Sequence, residues 1–410
     1  MYSLLDELSK KKNWQEFLEE KTENGHFRRF EQKKIEKYIE NERYISLIEG
    51  GLKFSPPQKK LVNKIETGKK RVVYQFAANE VWVLKLLCSL LYKYDDKINK
   101  NCYSFRKANT AQKAVKSIMS VKGLRKKYCV KVDIHNYFNS IPAERLVDEL
   151  GKIIDDDPRL LEFLKDLLLS NEAMENGVLI KENRGAMAGC PLSPFFANIY
   201  LMELDEYFED QNIPYYRYSD DMVFFADTAE DAEFYKNKLT EIITKRGLEI
   251  NPKKCSVTDP GESWEFLGFG YVNGKIDLSR VTKQKIKGKI KRKAKALYRW
   301  RMKKNLSYDK AAKALIKHFN YKFYDDMREG DFSWSRWFFP ALTTSNGLKE
   351  IDEYLIEYIR YLYSGRHYKG NYKFKYDEIK RLGFRSLVNE YYKIKNKDDL
   401  DENKSIVNDI

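Results

Sequence analysis

Apolar residues recur at two different spacings along this chain, and the switch between them predicts its elements. Over residues 1–50 they are sparse and helically spaced (Trp14, Phe17, Leu18, Ile35, Tyr38, Ile39), so polar helices are expected there. Gly50-Gly51 and Pro56-Pro57 punctuate the passage to the next block. A basic turn (Lys69, Lys70, Arg71) then leads into a short β-branched run at 72–76, and Asn79 is placed to cap a helix beginning near Glu80. From 128 to 275 strand and helix alternate. A strand is expected over 128–134, with helices over 145–154, 160–169, 194–208 and 230–246. Strands at 215–218 and 222–226 flank a tight turn at 219–221, and short strands follow near Glu249 and Phe266. Ile286, Ile290, Ala294 and Leu297 mark one apolar stripe on a helix over 280–304. The aromatic-dense stretch 331–340 reads as buried, residues 351–395 as helical and basic, and the last residues as a frayed polar tail.

Composition sharpens this picture. With 410 residues, 42% of them hydrophobic, the chain can bury the core of two or three subdomains. The expected divisions are a helical N-terminal extension at 1–57, a strand-and-helix core at 58–275, a basic helical part at 276–395 and a tail at 396–410. A net charge of +15 favours polyanionic partners, nucleic acid before an acidic membrane surface. Thirteen Lys or Arg residues and no acid fall within 280–304, which concentrates that excess on one helix. Five isolated cysteines, without C-x-x-C spacing, argue against a structural zinc site or a disulfide scaffold and suit a reducing cytosol. No apolar stretch reaches the ~18–20 residues of a membrane span, and the first residues lack the layout of a signal peptide. A cytoplasmic protein without membrane contact is expected.

The candidate chemistry is carboxylate chemistry. Asp220 and Asp221 sit side by side in the turn between two apolar strands, and Asp133 ends a third strand. Adjacent carboxylates repel, and a hard divalent cation relieves the repulsion. Three such groups from neighbouring strands could hold two Mg²⁺ ions, with Mn²⁺ as a substitute, about 4 Å apart. One ion would activate a primer 3′-hydroxyl and the other would neutralise leaving pyrophosphate. Alone, an Asp-Asp pair is more often simply a turn.

The flanking motifs reverse those odds. Residues 131–142 (KVDIHNYFNSIP) resemble motif A of reverse transcriptases, 189–194 (GCPLSP) motif B, 218–221 (YSDD) motif C, 247–255 (GLEINPKKC) motif D and 265–269 (EFLGF) motif E. Residues 70–74 (KRVVY) and 103–106 (YSFR) resemble the fingers motifs of the same group. The order and spacing are similar to those of bacterial and group II intron-like reverse transcriptases over about 58–275. The resemblance implies an α+β, right-hand polymerase of fingers, palm and thumb, with an antiparallel palm sheet and a helical C-terminal thumb. It makes Asp133, Asp220 and Asp221 the catalytic metal ligands, with Ile134 beside them in the metal and dNTP sites. Phe138 becomes a steric gate against a 2′-hydroxyl, and Lys254 a proton donor to pyrophosphate or a stabiliser of its charge. Arg71 and Arg106 are candidates to grip the triphosphate. Lys69 and Lys70 are weaker ones. Gly189 and Pro191 would shape the turn beneath template and nucleotide, and Ser193 would cap the following helix. Lys283, Lys287, Lys291, Arg292, Lys295 and Arg299 would track a nucleic-acid backbone. Tyr298 and Trp300 could stack on bases or pack in a core.

The implied activity is RNA-directed DNA synthesis from dNTPs onto a DNA product or primer. The expected template is a dedicated noncoding RNA, in the manner of defence-associated enzymes (abortive-infection and "unknown group") that act against phage. Other readings stay open: a group II intron-type enzyme with a maturase role, a template-independent nucleotidyltransferase, or a non-enzymatic RNA-binding scaffold. Ala188 stands where many relatives carry glutamine and hints mildly at the template-independent reading.

Overall fold

The computed structural model describes residues 2–23, 27, 29–63, 70–107, 109–324 and 333–396. Lys69, the first two residues of the aromatic stretch at 331–340, and the tail from 397 onward lie outside them. The chain divides into two compact units, residues 1–261 and 262–410. The motif E residues therefore belong to the second unit, while the motifs resembling A to D lie in the first.

Two four-stranded sheets organise the first unit. One is built from β1 (Gln58–Asn63), β2 (Lys70–Gln75) and the hairpin of β4 (Glu172–Glu175) and β5 (Val178–Lys181), in the order β2-β1-β4-β5. The other combines β3 (Tyr128–Asp133), β6 (Tyr215–Tyr218), β7 (Asp221–Ala226) and β8 (Ser256–Thr258) in the order β6-β7-β3-β8, antiparallel throughout. Alternating β-branched and aromatic residues make β3 and β7 its buried centre: Val130, Val132, Met222 and Phe224 are all buried. Helix Ala143–Ile153 presents Leu146, Leu150 and Ile153 to the core at the i, i+3, i+4 spacing of one face. Helix Pro158–Leu169 starts on Asp157, whose carboxylate accepts from Leu160 N at 3.0 Å. The same buried carboxylate accepts from Ser3 Oγ and Leu4 N at 3.0 and 2.7 Å, which ties the N-terminal helices to the core. Trp14, Tyr38 and Tyr44 of that region share one hydrophobic core with the sheets.

The second unit opens with a three-stranded antiparallel sheet, β9 (Trp264–Phe266), β10 (Phe269–Val272) and β11 (Lys275–Leu278), and its later elements among the described residues are helices. Helix Arg280–Lys303 buries Ile286, Ile290 and Ala294, as its stripe predicts. Among the described residues, no helix is long and apolar enough to cross a membrane.

Three local expectations are corrected. Asn79 is no cap: helix Ala78–Leu90 begins one residue earlier, and Glu80 accepts from Ala77 N at 3.0 Å and Ser55 N at 2.7 Å. The helix expected over 194–208 is two helices, Ser193–Tyr200 and Met202–Asp210, because Leu201 leaves helical geometry at φ −107°, ψ 15°. The strand expected near Glu249 is a single bridge from Ile250 to Ile134.

Candidate active site

Strand register brings the acids together. Asp133, last residue of β3, lies opposite Asp221, first residue of β7. Tyr218 pairs with the same Asp221 in the β6-β7 ladder, so Ser219 and Asp220 alone form the connecting turn. The turn docks on β3 through Ile134 N, which donates to Asp220 O at 3.3 Å. Ser219 takes φ +60°, a region that side chains other than those of Gly, Asn and Asp seldom adopt. A buried relay holds it there: Ser219 N donates to Ser104 Oγ at 2.9 Å, and Ser104 Oγ donates to Asn198 Oδ1 at 2.8 Å. Behind the turn, Arg217 and Asp205, both 0% exposed, form a two-pronged ion pair.

Asp133 is only 2% exposed, yet its carboxylate is fully engaged. Lys254 Nζ approaches one oxygen at 2.5 Å, and Asn251 Nδ2 donates to the other at 3.1 Å. Asn251 N also donates to Asp133 O at 2.8 Å, so one short loop holds both main chain and side chain. Burial, then the charges of Asp221 and Asp133, push Asp220 above the usual carboxylate range. Burial likewise raises Asp221, against Lys131, whose ammonium stands 4.0 Å away, and with Asp133 adding to the rise. For Lys254, burial pulls the ammonium down, but the hydrogen bond to Asp133 and the three acidic charges outweigh it and leave the group above its ordinary value. It therefore stays protonated at neutral pH.

Among the described residues, no three His, Cys, Asp or Glu side chains are drawn together tightly enough to hold an ion as they stand. The donor chemistry nevertheless fits a hard divalent cation: carboxylate oxygens from adjoining strands whose charges oppose one another. Ile134 could join them only through its main-chain carbonyl, since its hydrocarbon side chain has no donor atom.

Around this centre the structure sorts the other candidates. Phe138 is half-buried beside Tyr137, ring centroids 5.8 Å apart, on the short helix that follows β3. Gly189 adopts φ +106°, and a Cβ there would meet Tyr74 O at 2.7 Å. Gly189→Ala is expected to cost about 1–3 kcal/mol through backbone strain; a melting temperature equal to that of the wild type would count against this. Pro191 is half-buried in the next turn. Arg71 and Lys70 are exposed on β2. Arg106 is engaged within the fold: its guanidinium donates to Asp95 Oδ1 at 3.0 Å and to the carbonyls of Asp95, Asn99 and Cys102. Ser193 is not a cap but a donor to the carbonyls of Ala186 and Met187, pinning the loop before its helix.

In the second unit Lys283 and Lys287 both pair with Glu350, at 2.7 and 2.5 Å. Lys291, Arg292, Lys295 and Arg299 are exposed. Tyr298 donates to Ser364 O at 3.2 Å and packs on Tyr361, whereas Trp300 is exposed. Sequence reading missed Asn251, Ser104, Asn198 and the Asp205–Arg217 pair. Asn251 and Ser104 carried a signal, standing inside the 247–255 and 103–106 resemblances.

Acids set at the end of one strand and in the hairpin turn beside it are an arrangement that suits metal-assisted nucleotidyl transfer. The reverse transcriptase (RNA-dependent DNA polymerase) family model matches residues 58–271, just over half of the chain, and the chain belongs to that family. Its curated relatives include the Retron Ec83 reverse transcriptase of Escherichia coli, 28% identical over 169 residues, 39% of this chain and 53% of that one. The Retron Ec86 reverse transcriptase of the same species is 29% identical over 106 residues, 25% of this chain and 33% of the relative. A 91 kDa protein in the cob intron of Schizosaccharomyces pombe is 28% identical over 164 residues, 38% of this chain but 19% of its own length. The matched region thus spans about half or less of each relative. Among solved structures, apo telomerase from Candida tropicalis aligns with a TM-score of 0.49 at 12% identity, over 81% of this chain and 60% of that chain.

Proposed function

We propose that this chain is an RNA-directed DNA polymerase that adds dNTPs to a 3′ end at Asp133, Asp220 and Asp221. The observation that carries the reading is the cross-strand pairing of Asp133 with Asp221 beside the Asp220 turn, inside the family-matched region. In this reading the first unit supplies fingers (β1, β2, β4, β5) and palm (β3, β6, β7, β8), and the second unit supplies the thumb. Two Mg²⁺ ions, or Mn²⁺, held by the three aspartates and the main chain of Ile134 would activate the 3′-hydroxyl and neutralise pyrophosphate charge. The residues themselves position and exclude. Lys254, kept protonated, can serve only as a donor, either to pyrophosphate or as fixed positive charge. Arg71 reaches from β2 as a candidate triphosphate ligand. The exposed cations at 291, 292, 295 and 299 would follow a phosphate backbone, with binding that weakens as salt rises.

Phe138 is the gate against the ribose 2′-hydroxyl. Phe138→Ala is expected to lower the preference for dNTPs over rNTPs by at least about tenfold. Competing single-nucleotide incorporation measures this, and an unchanged ratio would remove Phe138 from the role.

The finer reading is a cytoplasmic enzyme copying a dedicated noncoding RNA in antiviral defence. The sequence resemblance and the retron relatives support it. Sequencing the RNA and DNA that copurify with the protein tests template and product together; a random sample of cellular RNA would refute a dedicated template. One feature favours a second reading, template-independent addition: Ala188 offers only backbone groups, its N–H donating to Asn139 Oδ1 at 2.8 Å and its carbonyl accepting from Tyr74 N. Omitting the RNA template from the incorporation assay decides between the two.

A further inference from the structure

Helix Asn346–Ser364 of the second unit runs out into a loop that mixes cations with rings. Between Glu357 and Asp377 stand five Lys or Arg residues (Arg360, Arg366, Lys369, Lys373 and Lys375), six tyrosines and no acid. Such a run is usually just a solvated face. Two features set this one apart: its rings are braced, and its cations lack counter-charges.

Tyr368 lies against the backbone of Gly370, where a Cβ would meet its Cε2 at 2.4 Å and its hydroxyl at 2.9 Å. Tyr372 is backed by the Arg360 guanidinium, 4.7 Å from its ring centroid. That guanidinium is itself fixed, Nε donating to Phe374 O at 3.1 Å and Nη1 pairing with Glu357 at 3.2 Å. Between the two rings Asn371, only 3% exposed, closes the loop: its N–H donates to Tyr368 O at 3.1 Å and its Nδ2 to Arg366 O at 2.6 Å. Yet Tyr368 is 51% and Tyr372 49% exposed, so each ring braced on one side is open to solvent on the other. Glu357 is taken by Arg360, and among the described residues no carboxylate pairs with Arg366, Lys369, Lys373 or Lys375. The root of the loop is tied to the basic helix Arg280–Lys303, for Arg301 Nη1 donates to Leu362 O and Tyr363 O, both at 2.6 Å.

A fitting occupant brings negative charge and flat faces together. Unpaired nucleotides do both: phosphates answer the cations, and every base has a π face to lay on a tyrosine, whatever the sequence. A duplex brings the charge but keeps its bases stacked on one another. An anionic lipid surface, or a run of acidic side chains, supplies charge without rings at each repeat. We propose that the loop around Tyr368 and Tyr372 is a binding site for single-stranded nucleic acid. It would hold unpaired nucleotides next to the duplex that the exposed face of helix Arg280–Lys303 follows. The proposal rests on the polymerase reading for that duplex alone, and the loop itself needs no catalysis.

Fluorescence anisotropy on the intact protein, without dNTPs or divalent metal, tests it. The probes are a blunt RNA–DNA duplex and the same duplex with about six unpaired uridines at one end, each end in turn. At least one tailed duplex should bind about tenfold or more tightly than the blunt one. The double variant Tyr368→Ala/Tyr372→Ala should lose that gain and keep the blunt-duplex affinity. Tyr368→Phe/Tyr372→Phe should keep both, since the ring faces remain. An abasic tail, with phosphates but no bases, should forfeit most of the gain. Iodouridine in the tail should cross-link on irradiation to residues 366–373. A tail that adds nothing at either end, a gain that survives the alanine pair, or cross-links that map only elsewhere would overturn the assignment. Binding of phosphatidylserine vesicles that the alanine pair loses, with no gain from a tail, would assign the loop to a membrane instead. Because no nucleotide is turned over, a chain that extended no primer would leave these results as they are.

Discussion

Asp220→Asn is expected to lower primer extension by roughly 10³-fold or more while making the metal-free protein more resistant to heat. The two effects share one cause. In the proposed mechanism several kcal/mol of transition-state stabilisation depend on a full negative charge at the turn, and each ~1.4 kcal/mol is tenfold in rate. That charge is held against burial and against the charges of Asp221 and Asp133, which is why the Asp220 carboxyl titrates above its usual range. A carboxyl raised in the folded state adds stability below its unfolded pKa and loses it as pH rises through the folded value. The neutral amide escapes that loss. The melting-temperature advantage of the variant over the wild type should therefore grow from mildly acid to neutral pH. The Ile134–Asp220 hydrogen bond uses the main chain and survives the substitution. Thermal melts across pH, alongside primer extension, check both halves. A variant that melts lower than the wild type at neutral pH would mean that the turn is not electrostatically strained.

The second large effect concerns the buried pair behind the turn. Arg217→Met or Asp205→Leu alone should destabilise the protein by about 3–5 kcal/mol, because each leaves a fully buried charge without its partner. The double variant should recover much of that loss, since a buried ion pair is worth little more than well-packed apolar groups. Urea unfolding of the four proteins in a double-mutant cycle measures the coupling. Catalysis should fall further than stability in the Arg217 variant. The lost guanidinium also donates to Asn198 O at 2.9 Å, and Asn198 Oδ1 accepts from the Ser104 hydroxyl that holds Ser219 in the turn. Single variants that unfold at the wild-type urea concentration would show that the pair carries no structural weight.

The acids were legible because their signal is local: two adjacent carboxylates between apolar strands, flanked by ordered motifs. What surrounds them was less so. Arg106 looked like a phosphate ligand because a lone arginine in sequence does not reveal Asp95, the partner that consumes it. Lys283 and Lys287 were read as part of a continuous basic face, and only the fold brings Glu350 across to them. Strand β1 escaped notice since QKKLVN shows no alternation, its pairing supplied by β2. The hairpin of β4 and β5 did leave a mark: Asn176-Gly177, at φ +53° and +85°, is a strong turn dipeptide.

The loop that grips Asp133 carries a consequence for biosynthesis. Lys254 and Asn251 meet that aspartate at sequence separations of 121 and 118, and β8 completes the sheet on its other side. A chain emerging from the ribosome thus exposes Asp133 well before the partner loop exists. Long-range closure of this kind is slow, and the surroundings of Asp133 are complete only once the chain beyond residue 254 has been made and docked.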